Sequence, residues 1–264
     1  MPRTAHYLDP AHLLTSIPLA LGGILWILTY ILIIRRSFKD RAYGLPMFAI
    51  CLNITWESLA VLSCNAPEGT LGLSGICPMP PATSPTLKFA ETAGILVDVF
   101  WLGLDVILAW QLFRWGRQLE RVPHMRRHWT RNLVGLIVIF FFLQLGFVTY
   151  YDDIFLIVNG WIINMVMSLG FLFLLWDREK WGLRGLSWPA AWTKMAANLF
   201  YAGGLTLVFY SGPGEHPFQP DESWTFMYVM FAATFLFDVL YITHLKRARD
   251  GGASPPRSAV PEPA

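Results

Sequence analysis

Four acids stand inside apolar runs of this chain: Glu57 in "CLNITWESLAVL", Asp98 and Asp105 in "ILVDVFWLGLDVILAW", and Asp238 in "ATFLFDVLYI". A carboxyl withdrawn from water favours its neutral form, and a neutral carboxyl held in a dry site can donate a proton. Asn53 precedes Glu57 by four residues, so on a helix the two share a face and a hydrogen-bond network. Glu91, Asp98 and Asp105 are spaced by seven, which draws one acidic stripe with about 10 Å between successive members. Trp101 and Leu102 fall on that stripe, and Trp56 adjoins Glu57. Thr234, Phe231 and Tyr241 share the face of Asp238. One such acid is as simply explained by a packing hydrogen bond between helices. Several acids on three helices point instead to a shared polar cavity with proton-transfer chemistry.

The elements that carry these acids are membrane helices. The chain of 264 residues is 55% hydrophobic and 14% charged, and its mean hydropathy is +0.45. A helix that crosses the hydrocarbon core needs about 20 mostly apolar residues. Seven segments meet that length: Ser16 to Ile34, Gly44 to Cys64, Lys88 to Phe113, Asn132 to Tyr151, Ile154 to Trp176, Ala190 to Tyr210 and Ser223 to Leu245. The expected fold is all-α, a seven-transmembrane-helix bundle over residues 1–245. Of the 20 Lys and Arg residues, 17 fall on alternate connections or in the tail, which places the amino terminus outside and the carboxy terminus in the cytoplasm. The first segment lacks a basic n-region and an A-x-A site and reads as a retained helix. Residues 246–264 read as a disordered cytoplasmic tail, being rich in Pro, Gly and Ala. By the same hydropathy Lys194 reads as a snorkelling residue near the inner end of the sixth segment.

Other chemistries lack their residues. The sequence has no H-E-x-x-H, C-x-x-C or Gly-rich phosphate loop, and its six histidines fall in loops or near segment ends, so neither a metal nor another cofactor is expected. The net charge of +2 follows from topology and gives no reason to expect nucleic acid. No lysine stands in the middle of the seventh segment, as a retinal Schiff base would need. Cys64 and Cys77 flank the long Pro/Gly/Ser-rich connection Asn65 to Leu87, where a disulfide is one option that spacing alone leaves open. The 12 Trp, 19 Phe and 9 Tyr include ordinary interfacial anchors, but aromatic faces also stabilise cations in dry sites. Buried neutral acids with aromatic walls suit the making and guiding of carbocations.

The runs "GLPMFAICLNITWE", "WLGLDVILAWQLFRWGR", "WIINMVMSLGFLFLLWDREKWGLRGLS" and "FLFDVLYI", in this order and spacing, resemble the small integral-membrane terpene cyclases of fungal meroterpenoid and indole-diterpene pathways. They also resemble actinobacterial relatives that cyclise farnesylated indoles of the drimentine type. The resemblance runs from the second segment to the seventh. It implies that Glu57 and Asp238 are the catalytic acids of a proton-initiated cyclisation, with Asp105 matching a third acid less specifically. Asn53, Trp56, Asp98, Trp101, Phe231 and Tyr241 are then expected to support the acids or orient the substrate. A protonated carboxyl would add its proton to the terminal alkene of a prenyl chain, or open its epoxide, and rings would close through tertiary cations without metal. "YYDDIF" (Tyr150 to Phe155) superficially matches the magnesium-binding motif of soluble terpene synthases, but Leu156 stands where a further acid would follow. The expected partners are membrane lipid and a lipophilic prenylated small molecule. By helical rise Glu57 lies about 20 Å and Asp238 about 10 Å from the inner ends of their segments, so a direct pair is not required. A proton-coupled transporter would use the same acids, but the sequence shows no inverted repeat or pair of broken helices. A seven-helix receptor is a weaker alternative, because the inner loops carry no partner motif.

Overall fold

A computed structural model describes residues 10–65, 85–151, 156–179, 182–211 and 223–251. The described residues form eight helices: α1 (Pro10–Asp40), α2 (Met47–Asn65), α3 (Pro85–Leu119), α4 (Pro123–Arg127), α5 (Trp129–Tyr151), α6 (Ile157–Arg178), α7 (Trp188–Ser211) and α8 (Ser223–Asp250). Seven are long and match the seven expected segments. The short α4 opens on Pro123 inside a connection expected to be loop, at a first-turn position where proline costs no hydrogen bond. Several helices outrun their expected limits, and α8 continues past Leu245 to Asp250. Residues 252–264, the Asp152–Asp153 pair and Cys77 fall outside the described residues, as does the side chain of Cys64.

Five helices are long and apolar enough to cross a membrane among the described residues: those over Ile17–Asp40, Leu96–Leu119, Trp129–Tyr151, Ile157–Arg178 and Thr225–Asp250. The described apolar part of α2, Met47–Leu62, is shorter. The α7 helix is not among the five, and its own residues explain why: Lys194 and Asn198 lower the hydropathy of a segment whose polar groups are buried inside the protein. Large apolar side chains such as Leu96, Phe142 and Leu199 are exposed, as an outer surface facing lipid requires.

The central element is α2, which packs against α3, α5 and α6. From Ala49 to Val61 every residue is buried or half-buried, so the helix is enclosed on all sides rather than along one stripe. A polar seam holds it to α5 and α6. Gln144 Nε2 donates to Leu52 O at 3.0 Å and to Thr55 Oγ1 at 2.7 Å, while Asn159 Nδ2 donates to Gln144 Oε1 at 3.4 Å. On the far side α1 lies along α7, and α8 packs on α6 and α7.

Small residues let the backbones close up. A Cβ on Gly22 would stand 2.8 Å from Tyr201 N, and one on Gly204 would stand 2.6 Å from Leu19 N. These two glycines face opposite partners across one α1–α7 crossing, the small-residue packing used where lipid supplies no hydrophobic drive. At one end of the bundle α1 stops at Arg41 (φ 49°), with Ala42 N donating to Ser37 O at 3.1 Å, the left-handed helix ending that closes orphan carbonyls. The turn that follows meets the α6–α7 loop, where Gly185 (φ 81°) donates from N to Asp40 Oδ2 at 2.8 Å.

Because the obstructing atoms at Gly22 and Gly204 belong to backbone, Gly204→Leu forces α1 and α7 apart. We expect a loss of about 1–3 kcal/mol, read as a lower thermal midpoint of the purified protein in lipid nanodiscs. Gly203→Ala, with open space beside it, leaves the midpoint within about 1 kcal/mol of wild type.

Candidate active site

A cavity of about 110 Å³ opens between α1, α2, α3, α6 and α7. The α2 wall supplies Asn53, Trp56 and Glu57; Trp26 and Tyr30 come from α1, Trp101 from α3, Tyr201 from α7, and Trp161 and Asn164 from α6. Six aromatic rings thus face a space that also holds a carboxyl. The ring of Trp56 is fixed by donation from Nε1 to Leu156 O at 3.1 Å. It lies over Gly160, where a Cβ would come within 3.3 Å of it. A larger residue there would push the indole off the wall.

Glu57 is 5% exposed and its Oε2 has no hydrogen-bond partner. Its electrostatic neighbours are the carboxyls of Asp105 and Asp98, so the helical spacing of the α3 acids does bring two of them to the acid of α2. Asp105 is fully buried and Asp98 half-buried. Asn53 Nδ2 donates to the Tyr30 hydroxyl oxygen at 2.6 Å, and that hydroxyl stands beside Asp105. Neither Asp105 oxygen completes a well-formed hydrogen bond. Tyr201 lies within electrostatic range of both Glu57 and Asp98. Three acids, two tyrosines and an amide therefore form one cluster, and none of the ion pairs of the described residues reaches it.

Asp238 belongs to a different network and does not line the cavity. Lys194 Nζ donates to Asp238 Oδ1 at 2.6 Å and to Ser168 Oγ at 2.5 Å. Asn198 Nδ2 donates to Asp238 Oδ2 at 2.7 Å, and Asn164 Nδ2 donates to Asn198 Oδ1 at 2.7 Å. Lys194 is 1% and Asp238 2% exposed. The expectation that Lys194 snorkels is therefore corrected: its ammonium turns into the bundle, where an acid on α8 can neutralise it, instead of reaching along α7 towards water. Its Nζ also stands 5.7 Å from the ring centres of Trp26 and Phe171, close enough for cation–π attraction.

Of the other expected residues, Asn53, Trp56 and Trp101 line the cavity. Phe231 stands behind the wall, its ring centre 4.3 Å from that of Trp161, and Tyr241 packs on Phe171 at 5.0 Å, away from the cavity. Sequence reasoning missed Trp26, Tyr30, Trp161, Tyr201 and the polar group Asn164, Ser168, Lys194 and Asn198. A signal for the last four was present: Asn164/Ser168 and Lys194/Asn198 are both four apart in apolar segments, the spacing of a shared helix face. No cluster of His, Cys, Asp and Glu suited to a metal occurs among the described residues.

An all-helical integral membrane protein with an acid on an aromatic cavity is the class that fold and site define. The chain belongs to the Pyr4-like transmembrane terpene cyclases, whose family pattern matches residues 4–70 and 86–250. It is 26% identical to terpene cyclase macJ of Penicillium terrestre over 68% of this chain and 62% of that one, so the match spans less than two thirds of macJ. It is 21% identical to the Pyr4-family terpene cyclase mfmH of Annulohypoxylon moriforme, over 79% of this chain and 77% of that one. Terpene cyclase paxB of Penicillium paxilli is 25% identical over 48% of this chain and 40% of its own. No solved structure matches.

The contribution of the buried ion pair is measurable by substitution. Lys194→Met leaves the Asp238 carboxylate alone in a dry interior, at a cost of about 3–5 kcal/mol. The double variant Lys194→Met/Asp238→Leu removes both charges and recovers most of that loss. Thermal midpoints in nanodiscs should therefore rank wild type and the double variant well above the single one.

Proposed function

We propose that this protein is a membrane-bound terpene cyclase in which Glu57 starts cyclisation by protonating the terminal alkene of a prenylated aromatic, with a farnesyl chain on an indole as the favoured substrate. The observation that carries this reading is the position of Glu57. It is the carboxyl on the cavity wall, whereas Asp238 is engaged at both oxygens by Lys194 and Asn198.

The Glu57 proton goes to the terminal alkene carbon that leaves a tertiary cation, and the next alkene closes a ring on that cation. Loss of a proton from the last cation ends the cascade, so product and substrate are isomers and no co-reactant is consumed. A terminal epoxide would be opened by the same acid. Trp56, Trp101, Trp161 and Trp26 offer ring faces along the cavity, where cations are stabilised without a nucleophile. Asp105 and Asp98 neighbour Glu57 and can serve as the relay by which its proton is replaced, with half-buried Asp98 the more exposed of the two. Asp238 has a positioning role: its pair with Lys194 holds α7 and α8 against α6.

The same proposal includes seven crossings, with the amino terminus outside and the carboxy terminus cytoplasmic. Its support is the clustering of Lys and Arg on alternate connections, together with the enclosure of α2 by α3, α5 and α6 and the burial of Lys194 and Asn198 of α7 inside the bundle.

Membranes carrying the full chain, given 3-farnesylindole, should yield a cyclised isomer detectable by mass spectrometry and NMR. Glu57→Gln should lower its rate about 10²–10⁴-fold, the range for removing a general acid, with an unchanged thermal midpoint. Asp238→Asn should lose product together with stability, because Lys194 is left unpaired. Wild-type rates in Glu57→Gln would sink the assignment.

A further inference from the structure

The polar network beside the cavity has a direction that chemistry dictates. An ammonium only donates and a carboxylate only accepts. Lys194 Nζ therefore donates to Asp238 Oδ1, and the group on Asp238 Oδ2 must be a donor too, which assigns it as Asn198 Nδ2. With Asn198 Nδ2 turned to Asp238, the atom that Asn198 presents to Asn164 is its oxygen, 2.7 Å away, so Asn164 must answer with Nδ2. The backbone oxygen of Asn164 is occupied as well, since Ser168 Oγ donates to it at 3.0 Å. Flipping Asn164 would set oxygen against oxygen, and flipping Asn198 would set nitrogen against nitrogen and take a donor from the carboxylate. What remains is Asn164 Oδ1, a buried acceptor with no partner, on a residue that lines the cavity. A buried acceptor left open is costly.

We infer that Asn164 is a specificity-determining residue whose carbonyl oxygen accepts a hydrogen bond from an N–H or O–H on the aromatic part of the substrate, its orientation set from Lys194 through Asp238 and Asn198. The inference rests on the cavity being the substrate chamber. A ring N–H or a phenol O–H completes Asn164, whereas an ether, an epoxide or an N-alkylated ring offers it no proton. The position also orients the substrate. Asn164 lies one turn of α6, about 6 Å by helical rise, beyond Gly160, on which Trp56 packs, and Glu57 follows Trp56 on α2. The donor end of the substrate and the alkene to be protonated then meet the wall at different depths.

Binding separates this inference from the cyclisation itself. Full-length Glu57→Gln protein in nanodiscs is titrated with radiolabelled 3-farnesylindole and its 1-methyl analogue, and in a second arm with a farnesylphenol and its methyl ether. The arms show whether the donor is N–H or O–H. We expect the donor-bearing ligand of at least one pair to bind ten-fold or more tightly than its methylated partner. Adding Asn164→Leu should bring that pair to equal affinity, chiefly by weakening the donor-bearing ligand. Adding Lys194→Met/Asp238→Leu, which frees the amides to flip, should shrink the preference in the same direction. Equal affinities within both pairs, as when a water already fills the acceptor, overturn the inference. So does a preference that survives Asn164→Leu, or no binding in either arm. Failure of the wild-type protein to form a cyclised isomer from a ligand that binds with the expected preference overturns the cyclase reading instead and leaves the Asn164 contact standing.

Discussion

Two opposite charges withdrawn from water are tolerable only together, and the 2.6 Å contact of Lys194 with Asp238 is the condition under which α7 and α8 can turn these two side chains into the bundle. Either group alone would be an uncompensated charge in the protein interior. Paired, they draw in Ser168, Asn198 and through it Asn164, so three helices are joined by groups of fixed polarity. Apolar contact has no direction, whereas these hydrogen bonds form only when Ser168, Lys194, Asn198 and Asp238 stand at matching depths on their helices.

The acids of α2 and α3 are in the opposite situation. Glu57, Asp98 and Asp105 neighbour one another, and their contacts on the far side are tyrosines and an amide rather than a cation. In the proposed function the protein thus separates two uses of a carboxyl by what stands next to it. Beside an ammonium and an amide N–H, a carboxyl is a fixed acceptor. Beside other carboxyls in a dry aromatic space, it is suited to holding and releasing a proton. The residue type is the same in both places, and only the neighbours differ.

That difference explains what was legible in the sequence. The seven long helices follow from apolar length, a property each segment carries by itself, and the stripe through Asp98 and Asp105 follows from helical period. The α3 acids duly meet Glu57, because α2 and α3 pack together. The partner of Asp238 was not legible, since Lys194 is 44 residues away and hydropathy treats any lone lysine in an apolar helix as a group seeking water. The α1 wall was missed for a related reason. Trp26 and Tyr30 look like ordinary members of an apolar helix until the glycine crossing of Gly22 and Gly204 brings α1 against α7, which is a fact about two backbones and not about either segment. Phe231 and Tyr241 share the face of Asp238 as helical spacing requires, yet α8 meets the back of α6, so that face serves the wall from behind.

The enclosure of α2 ties these points together. A helix buried all round cannot use lipid to satisfy anything, so each of its polar side chains must find a partner within the bundle or stand at a cavity. Thr55 finds its own backbone and Gln144, Ser58 finds Ile54 O, Asn53 finds Tyr30, and Trp56 finds Leu156. Glu57 keeps one oxygen unpartnered, and it does so at the wall of the space framed by the aromatic rings. In the proposed function that oxygen belongs to the acid that meets the substrate, and the contrast with its satisfied neighbours on α2 is what singles it out.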